Sequence, residues 1–427
     1  MYLTDRFRLV SDDERAERSD HARRSRVAAP VVLLGAVSLF TDISSESVSA
    51  ILALYLTTVV GLGPLAYGFV DGMYQGVSAV CRLAGGWLAD RTDRPRRVAL
   101  AGYALSAATR LLLIPVHTVA AITALLGVDR LGKGIRTAPR DAMIAASTRP
   151  GALGRAFGVH RALDTAGAVI GPIVAFLILD ALPGEYRAVF VVSFAAAVIG
   201  LAILWLLVPD VRLRRVTGDG GHPAPEPAET MSVRTMLRRP DARRLLVVIA
   251  VLGLLTVGDG FIYLALQRRD DLAIKYFPLL YVGTNLAYML LAYPLGRLAD
   301  RIGRMPVFLA GHVALLTAYL AAGGGIHAAA MTIGCLVLLG GYYAATDGQL
   351  AALASRFADA PARATAIGAA QTVQAAARFG SSVLFGAMWS VAGQRSALLL
   401  TAGFLAGAIV GTAWFWCRDD SRREVAA

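Results

Sequence analysis

The residues in this chain best suited to chemistry are ionisable side chains standing inside stretches that are otherwise apolar. Asp42 and Glu46 lie four apart in Phe-Thr-Asp-Ile-Ser-Ser-Glu, and His160 and Asp164 have the same spacing, with Arg161 between them. Asp129, Arg130, Lys133, Arg136, Arg140 and Asp141 crowd one segment; at about 100° per helical residue they share an arc of roughly 140°. Arg110 and Asp259 are further isolated charges. A charge at the centre of a membrane helix is unfavourable by roughly 2.5–3.5 kcal/mol on insertion scales, so such groups are expected to face partners or a wet cavity. Two carboxylates on one helix face are suited to taking up and releasing a proton. Lys133 is one of two lysines among 42 basic residues, a compact, titratable ammonium in an arginine-rich chain. The chemistry implied is movement of protons and solutes, because no clustered His, Asp and Glu and no nucleophile motif points to an enzyme. Cys81, Cys335 and Cys417 stand alone, without metal-ligand or disulfide spacing, so no metal or other cofactor is expected. Gly127 to Gly134 nearly matches a phosphate-cradling loop. Glycine stands where a Ser or Thr must bind magnesium, however, and no strand precedes it, so ATP is not the expected energy source.

The elements that position these groups are long apolar helices. Hydrophobic residues make up 56 % of the 427 residues, charged residues 17 %, and the mean hydropathy is +0.58. Apolar runs of roughly 20 residues predict about twelve transmembrane helices, over 29–57, 65–89, 98–116, 118–145, 155–180, 187–208, 244–267, 275–299, 306–324, 327–352, 363–391 and 396–416. Runs of this length exclude a β-barrel, whose strands are about ten residues with a period of two. The net charge of +12 and pI near 10.0 do not require nucleic acid as a partner. Arginines concentrate in the tails and in the turns on the same side, whereas the opposite turns hold only Arg187, Arg268, Arg269, Lys275 and Arg395. That bias places both termini in the cytoplasm. Residues 1–28 lack an apolar core and read as a cytoplasmic tail, not a signal peptide. Residues 209–243 are Gly/Pro-rich, then basic, and read as a cytoplasmic linker along the membrane surface. The linker separates a bundle over 29–208 from a bundle over 244–416, and 417–427 form a second cytoplasmic tail.

The two bundles repeat one another. Gly86-Trp-Leu-Ala-Asp90-Arg91-Thr-Asp-Arg94 returns 210 residues later as Gly296-Arg-Leu-Ala-Asp300-Arg301-Ile-Gly-Arg304, each a short basic turn between two apolar runs. Arg155-Ala-Phe-Gly158 and Thr365-Ala-Ile-Gly368 extend the correspondence at the same offset. Internal duplication in a hydrophobic chain is how many transporters build a site between two halves.

Gly86, Asp90 and Arg94, with Gly296, Asp300 and Arg304, resemble the loop motif of the major facilitator superfamily in both halves. Arg130-Leu-Gly-Lys133-Gly134 resembles that family's Arg-x-x-Gln-Gly motif, with Lys in place of Gln. Gly167-Ala-Val-Ile-Gly171-Pro172 resembles the Gly-x-x-x-Gly-Pro motif common in its proton-driven antiporters, although Ala175 replaces a further glycine and Asp93 the expected glycine of the first loop. Thr41 to Glu46 and Gly132 to Asp141 look like strings of a bacterial branch. The resemblance spans 29–416 and implies an all-α membrane protein of two pseudo-symmetric six-helix bundles in a bacterial plasma membrane. It further implies that the loop motifs latch the cytoplasmic side, with Asp141 as an ion-pair partner of the loop arginines.

The repeat supplies an internal control on the buried charges. At the offset of 210, Arg130, Lys133 and Arg136 meet Gly340, Tyr343 and Thr346, while His160, Arg161 and Asp164 meet Ala370, Gln371 and Gln374. Charges needed only to hold the fold would recur, so function is expected mainly in the first half. The candidate proton and substrate pathway is therefore Asp42, Glu46, Arg110, Arg130, Lys133, Arg136, His160, Arg161 and Asp164, with Asp259 from the second half. A structural network built on Asp129 is the competing account of the arginines. Gly167 and Gly171 are expected to let helices pack closely and Pro172 to bend one. The expected function is export of a small organic compound in exchange for protons, by a monomer whose halves rock around a central cavity. Uptake or facilitated diffusion of an anionic metabolite, suggested by the helix-four arginines, is the alternative. A non-transporting receptor would be expected to carry a large extra domain.

Overall fold

The computed structural model describes residues 28–74, 76, 94–116, 118–149, 152–210, 240–325, 328–355 and 363–425, and among them only helices and turns occur. In the first half α1 spans Ala29–Leu54 and continues into a wider turn at Tyr55–Val59. Next come α2 (64–74), α3 (Pro95–Leu112), α4 (Val119–Ala146), α5 (Leu153–Ala181) and α6 (Tyr186–Leu206). In the second half α7 is in two pieces, Pro240–Leu254 and Asp259–Arg269. It is followed by α8 (Phe277–Ile302), α9 (Arg304–Gly323), α10 (Ala329–Ala354), α11 (363–392) and α12 (394–425). Gly86 and Asp90 lie outside the described residues, as do the N-terminal tail and most of the linker.

Local sequence explains where these helices start and stop. Proline opens α1, α3 and α8, where its fixed φ suits a first turn and its missing N–H leaves nothing unsatisfied. Gly303 separates α8 from α9 at φ 97°, and Gly393 separates α11 from α12 at φ 81°, backbone that glycine enters without a Cβ penalty. Among the described residues, eight spans are long and apolar enough to cross a membrane, the last, Ala366–Trp416, running through Gly393 into both final helices. α3 and α4 fall outside that set because each carries more than two charges: Arg96, Arg97 and Arg110 in the one, the cluster from Asp129 to Asp141 in the other.

The expected uninterrupted helix over 244–267 is corrected: it breaks at 255–258, and Asp259 opens the second piece. Gly258 and Gly260 flank Asp259 at the break, and any Cβ on them would collide with Asp71 and Tyr67 of α2. Backbone freed inside a membrane protein must find new partners. One residue provides them here: the Tyr319 hydroxyl accepts from the Val257 N–H at 2.7 Å and donates to Leu255 O at 3.1 Å.

Helix directions put the ends of odd-numbered helices and the starts of even-numbered ones at the pole far from the termini. At that pole one apolar core runs through both halves, with Tyr67 edge-on to Phe261 at 4.7 Å and Phe261 edge-on to Phe385 at 4.9 Å. Lys275 donates to Asp180 at 2.8 Å, Phe176 stacks on Tyr276, and Ser382 donates to Asp71 at 2.7 Å. At the termini pole the first half instead keeps a separate core of Val31, Leu34, Tyr103, Met143 and Leu204. Among the described residues, these polar and aromatic contacts between the halves lie toward the far pole. Large apolar side chains cover the outside, among them Leu290, Phe404, Val410 and Trp414.

Candidate functional site

The charges of the first half are arranged by three close helix contacts. α5 presses against α1 at Gly167, where a Cβ would stand 2.5 Å from Leu39 O and 3.0 Å from Asp42 Cβ. One turn on, a Cβ at Gly171 would stand 2.9 Å from Ile43 O and 3.0 Å from Glu46 Cβ. The expected packing glycines therefore lie directly against the expected acidic pair. α3 meets α4 in the same way, with Gly132 so close that its Cβ would come 2.7 Å from Gly102 O. Small residues that let backbones approach are the main means of joining helices where no water drives them together. Pro172 is buried inside α5, next to Gly171.

Those contacts divide the polar arc of α4 between two neighbours. Toward α3, Asp129 accepts from Arg110 at 2.9 Å and from Arg130 at 2.7 Å, all three at most 5 % exposed. The Arg130 guanidinium also lies 3.8 Å from the centre of the Tyr74 ring, and Tyr74 is hydrogen-bonded through its hydroxyl to Ser49 of α1 at 2.6 Å. Arg136 is buried with its guanidinium 4.5 Å from the centre of the Tyr103 ring. Toward α1 and α5, Lys133 Nζ stands 3.7 Å from Glu46 Oε1, with the two side chains 33 % and 26 % exposed. Arg140 reaches Asp141 at 3.0 Å and Asp164 at 3.8 Å, and donates to Ser38 Oγ at 3.2 Å. Ser38 also bonds buried His160 Nε2 at 2.9 Å. Asp42 and Asp164 lie within side-chain hydrogen-bonding distance of each other. Arg161 stands 3.5 Å from Asp164 but is 80 % exposed.

The structure thus brings Asp42, Glu46, Lys133, Arg140, His160 and Asp164 into one partly open seam of α1, α4 and α5. Arg110, Arg130 and Arg136 sit behind it in a closed layer. Asp259 is elsewhere: its Oδ1 accepts from Tyr343 at 2.7 Å in the second half, where Arg378 donates to the Tyr342 hydroxyl at 3.1 Å. The position matching Arg130 in the repeat is Gly340, where a Cβ would come 2.7 Å from Thr284 O, so a packing contact replaces the ion. Asp141 is held by Arg140, while Asp300 is exposed and makes no ion pair among the described residues; nor does Arg94 or Arg304. Among the described residues Asp141 does not pair with Arg94 or Arg304, and the rest of the first loop motif, Arg91 included, lies outside them.

Three participants escaped the sequence reading. Asp71 of α2 bonds Ser382 across the halves, Tyr74 carries Arg130, and Ser38 joins His160 to Arg140. Asp71 had a legible signal, a lone carboxylate in an apolar run. Tyr74 and Ser38 had none, because such residues are ordinary in membrane helices.

The sequence profile of the Major Facilitator Superfamily matches residues 33–382. An uncharacterized MFS-type transporter of Methanocaldococcus jannaschii is 28 % identical over 374 residues, covering 86 % of this chain and 90 % of that protein. An uncharacterized protein of Mycobacterium tuberculosis is 27 % identical over 372 residues, covering 84 % and 87 %. Among solved structures, the nucleoside transporter NupG superposes with a TM-score of 0.78 at 12 % identity, over 91 % of this chain and 99 % of that one. A bacterial homolog of the human lysosomal transporter Spinster, in an inward-facing conformation, gives 0.69 at 14 % identity over 90 % and 95 %. At such identities these structures share the fold with this chain.

Proposed function

The chain belongs to the Major Facilitator Superfamily, and we propose that it is a proton-coupled secondary transporter that moves a small organic compound outward in exchange for protons. The observation that carries this reading is the seam in which Glu46 faces Lys133 at 3.7 Å while Asp42 and Asp164 stand in hydrogen-bonding distance. Two carboxyl groups in such contact are suited to holding one proton between them. Protonation of Glu46 discharges its pairing with Lys133 and frees an ammonium in the partly open seam. A proton and a solute therefore compete for one set of charges, which is what exchange requires. Because Gly167 and Gly171 press α5 against α1 beside these acids, a change of charge there is felt as a change in helix packing.

Export is favoured over anion uptake, the reading suggested by the arginines of α4, because Arg110 and Arg130 are buried on Asp129 and Arg136 is buried against Tyr103, which keeps these three guanidinium groups away from a solute. In this reading the termini are cytoplasmic and cargo enters the seam from that side. No cofactor enters this scheme, and a membrane potential supplies about 2.3 kcal/mol per charge per 100 mV.

The test begins with thermal stabilisation of the purified protein by a compound panel at two pH values, which finds a ligand. Transport of that ligand in proteoliposomes is then compared for wild type and Glu46→Gln. The wild type is expected to respond to an imposed pH gradient, and the variant to exchange ligand without responding to it. An unchanged gradient response in both Glu46→Gln and Asp42→Asn removes the coupling assignment.

A further inference from the structure

Outside the polar seam, a groove of about 520 Å³ runs along the flank of the first half at the termini pole, between the start of α3 and the end of α6. That volume falls within the range of about 300–1,000 Å³ typical of small-molecule sites. The groove is graded from ionic to apolar. Arg97, on its rim, is exposed, and its guanidinium makes no hydrogen bond or ion pair among the described residues. Arg96 bonds Leu204 O and Trp205 O, the last carbonyls of α6; this fixes the two walls together and leaves a full positive charge behind the rim. Asp210 is the single acid lining the groove, so the two arginines leave one positive charge in excess. The apolar part of the lining on α3 is Leu100, Ala101 and Ala104.

The outer wall is Trp205, 65 % exposed, followed by Leu206 and Leu207 at 70 % and 58 %. Both helices end here, and tryptophan beside arginine at the end of a membrane helix marks the boundary between acyl chains and headgroups. A soluble anion would satisfy the arginines and leave the apolar lining and wall empty. A lipid satisfies both.

We propose that this groove binds a membrane phospholipid by an anionic headgroup, the phosphate against Arg97 with the charge of Arg96 behind it, and an acyl chain over Leu100, Ala101 and Ala104 beside Trp205. The site is separate from the seam of α1, α4 and α5 and stands whether or not that seam couples protons. It ties lipid to the two helices whose termini-pole ends Arg96 joins.

Native mass spectrometry of the purified full chain, with phosphatidylglycerol and phosphatidylcholine in competition, tests it. The wild type is expected to retain phosphatidylglycerol preferentially. One arginine near a membrane surface is worth about fivefold in binding an anionic lipid, so Arg97→Gln is expected to cut the preference about fivefold and Arg97→Lys to keep it. Arg395→Gln, which removes a charge from the exposed start of α12 at the opposite pole, is expected to leave it intact. An unchanged preference in Arg97→Gln overturns the proposal. So does an equal loss in Arg395→Gln, which indicates diffuse surface charge. Displacement of the lipid by excess inorganic phosphate alone also overturns it, and marks a free-anion site.

Discussion

At the scale of single residues, the closed layer of Arg110, Asp129 and Arg130 carries two cations on one carboxylate, and Arg110 Nε and Nη1 are buried without a hydrogen-bond partner among the described residues. Removing the one acid strands two guanidinium groups in the interior. Asp129→Asn is therefore expected to destabilise the protein by about 3–5 kcal/mol, read as equilibrium unfolding in mixed micelles. Replacing all three residues together by Met, Leu and Met is expected to recover most of that loss, since a buried ion cluster exchanged for apolar side chains is often neutral or stabilising. A triple variant that is stable and still exchanges solute assigns the layer to holding α3 on α4. A stable but inactive one returns these arginines to the transport pathway. The seam residues differ in being partly open, with Lys133 and Glu46 reachable by water, so substitutions there are expected to alter coupling more than stability.

At the scale of elements, two contacts decide whether the site exists. A methyl group added at Gly171 must intrude on Ile43 O and Glu46 Cβ, both within 3.0 Å of its position. Gly171→Ala is expected to lose about 1–3 kcal/mol and Gly171→Leu to separate α5 from α1, with loss of exchange in proteoliposomes. Tyr319→Phe tests the break in α7: the Val257 N–H and Leu255 O lose their partner, an expected loss of about 1–3 kcal/mol. The same elements show what a single sequence displays. Gly167 and Gly171 could be placed against a neighbouring helix from their spacing, and Asp42 with Glu46 on one face from periodicity. The partition of α4 could not be read, because one arc of about 140° faces two helices and the sequence does not say which side chain turns to which. Nor was the break before Asp259 legible. Gly-Asp-Gly is tolerated inside a membrane helix, and the side chains that pack on Gly258 and Gly260 at the break, Asp71 and Tyr67, stand almost two hundred residues earlier in the chain.

At the scale of the whole molecule, the apolar core shared by the halves at the far pole is accompanied by a few polar and aromatic contacts, which the proposed alternating access would have to undo. Asp180 with Lys275 and Phe176 with Tyr276 lie on α5 and at the entry to α8. The ion pair is exposed and therefore weak, worth about 0–1 kcal/mol, so it is a contact that can open repeatedly. Asp71 with Ser382 lies deeper, where α2 and α11 approach so closely that a Cβ on Gly68 would collide with Ser382 O. Rocking of one rigid half against the other requires the two sets to separate together. Joining Asp180→Cys to Lys275→Cys with a short, cleavable thiol cross-linker is thus expected to hold the far pole shut. In that state Asp347→Cys, exposed in the second half, is expected to react with a maleimide, and Ser382→Cys, buried at the joined pole, to resist it. Solute exchange is expected to stop on cross-linking and return when the linker is cleaved. Exchange at the full rate with the far pole locked would show that solute crosses without the two halves parting there, and the rocking account of this fold would have to be abandoned for a fixed path through one half.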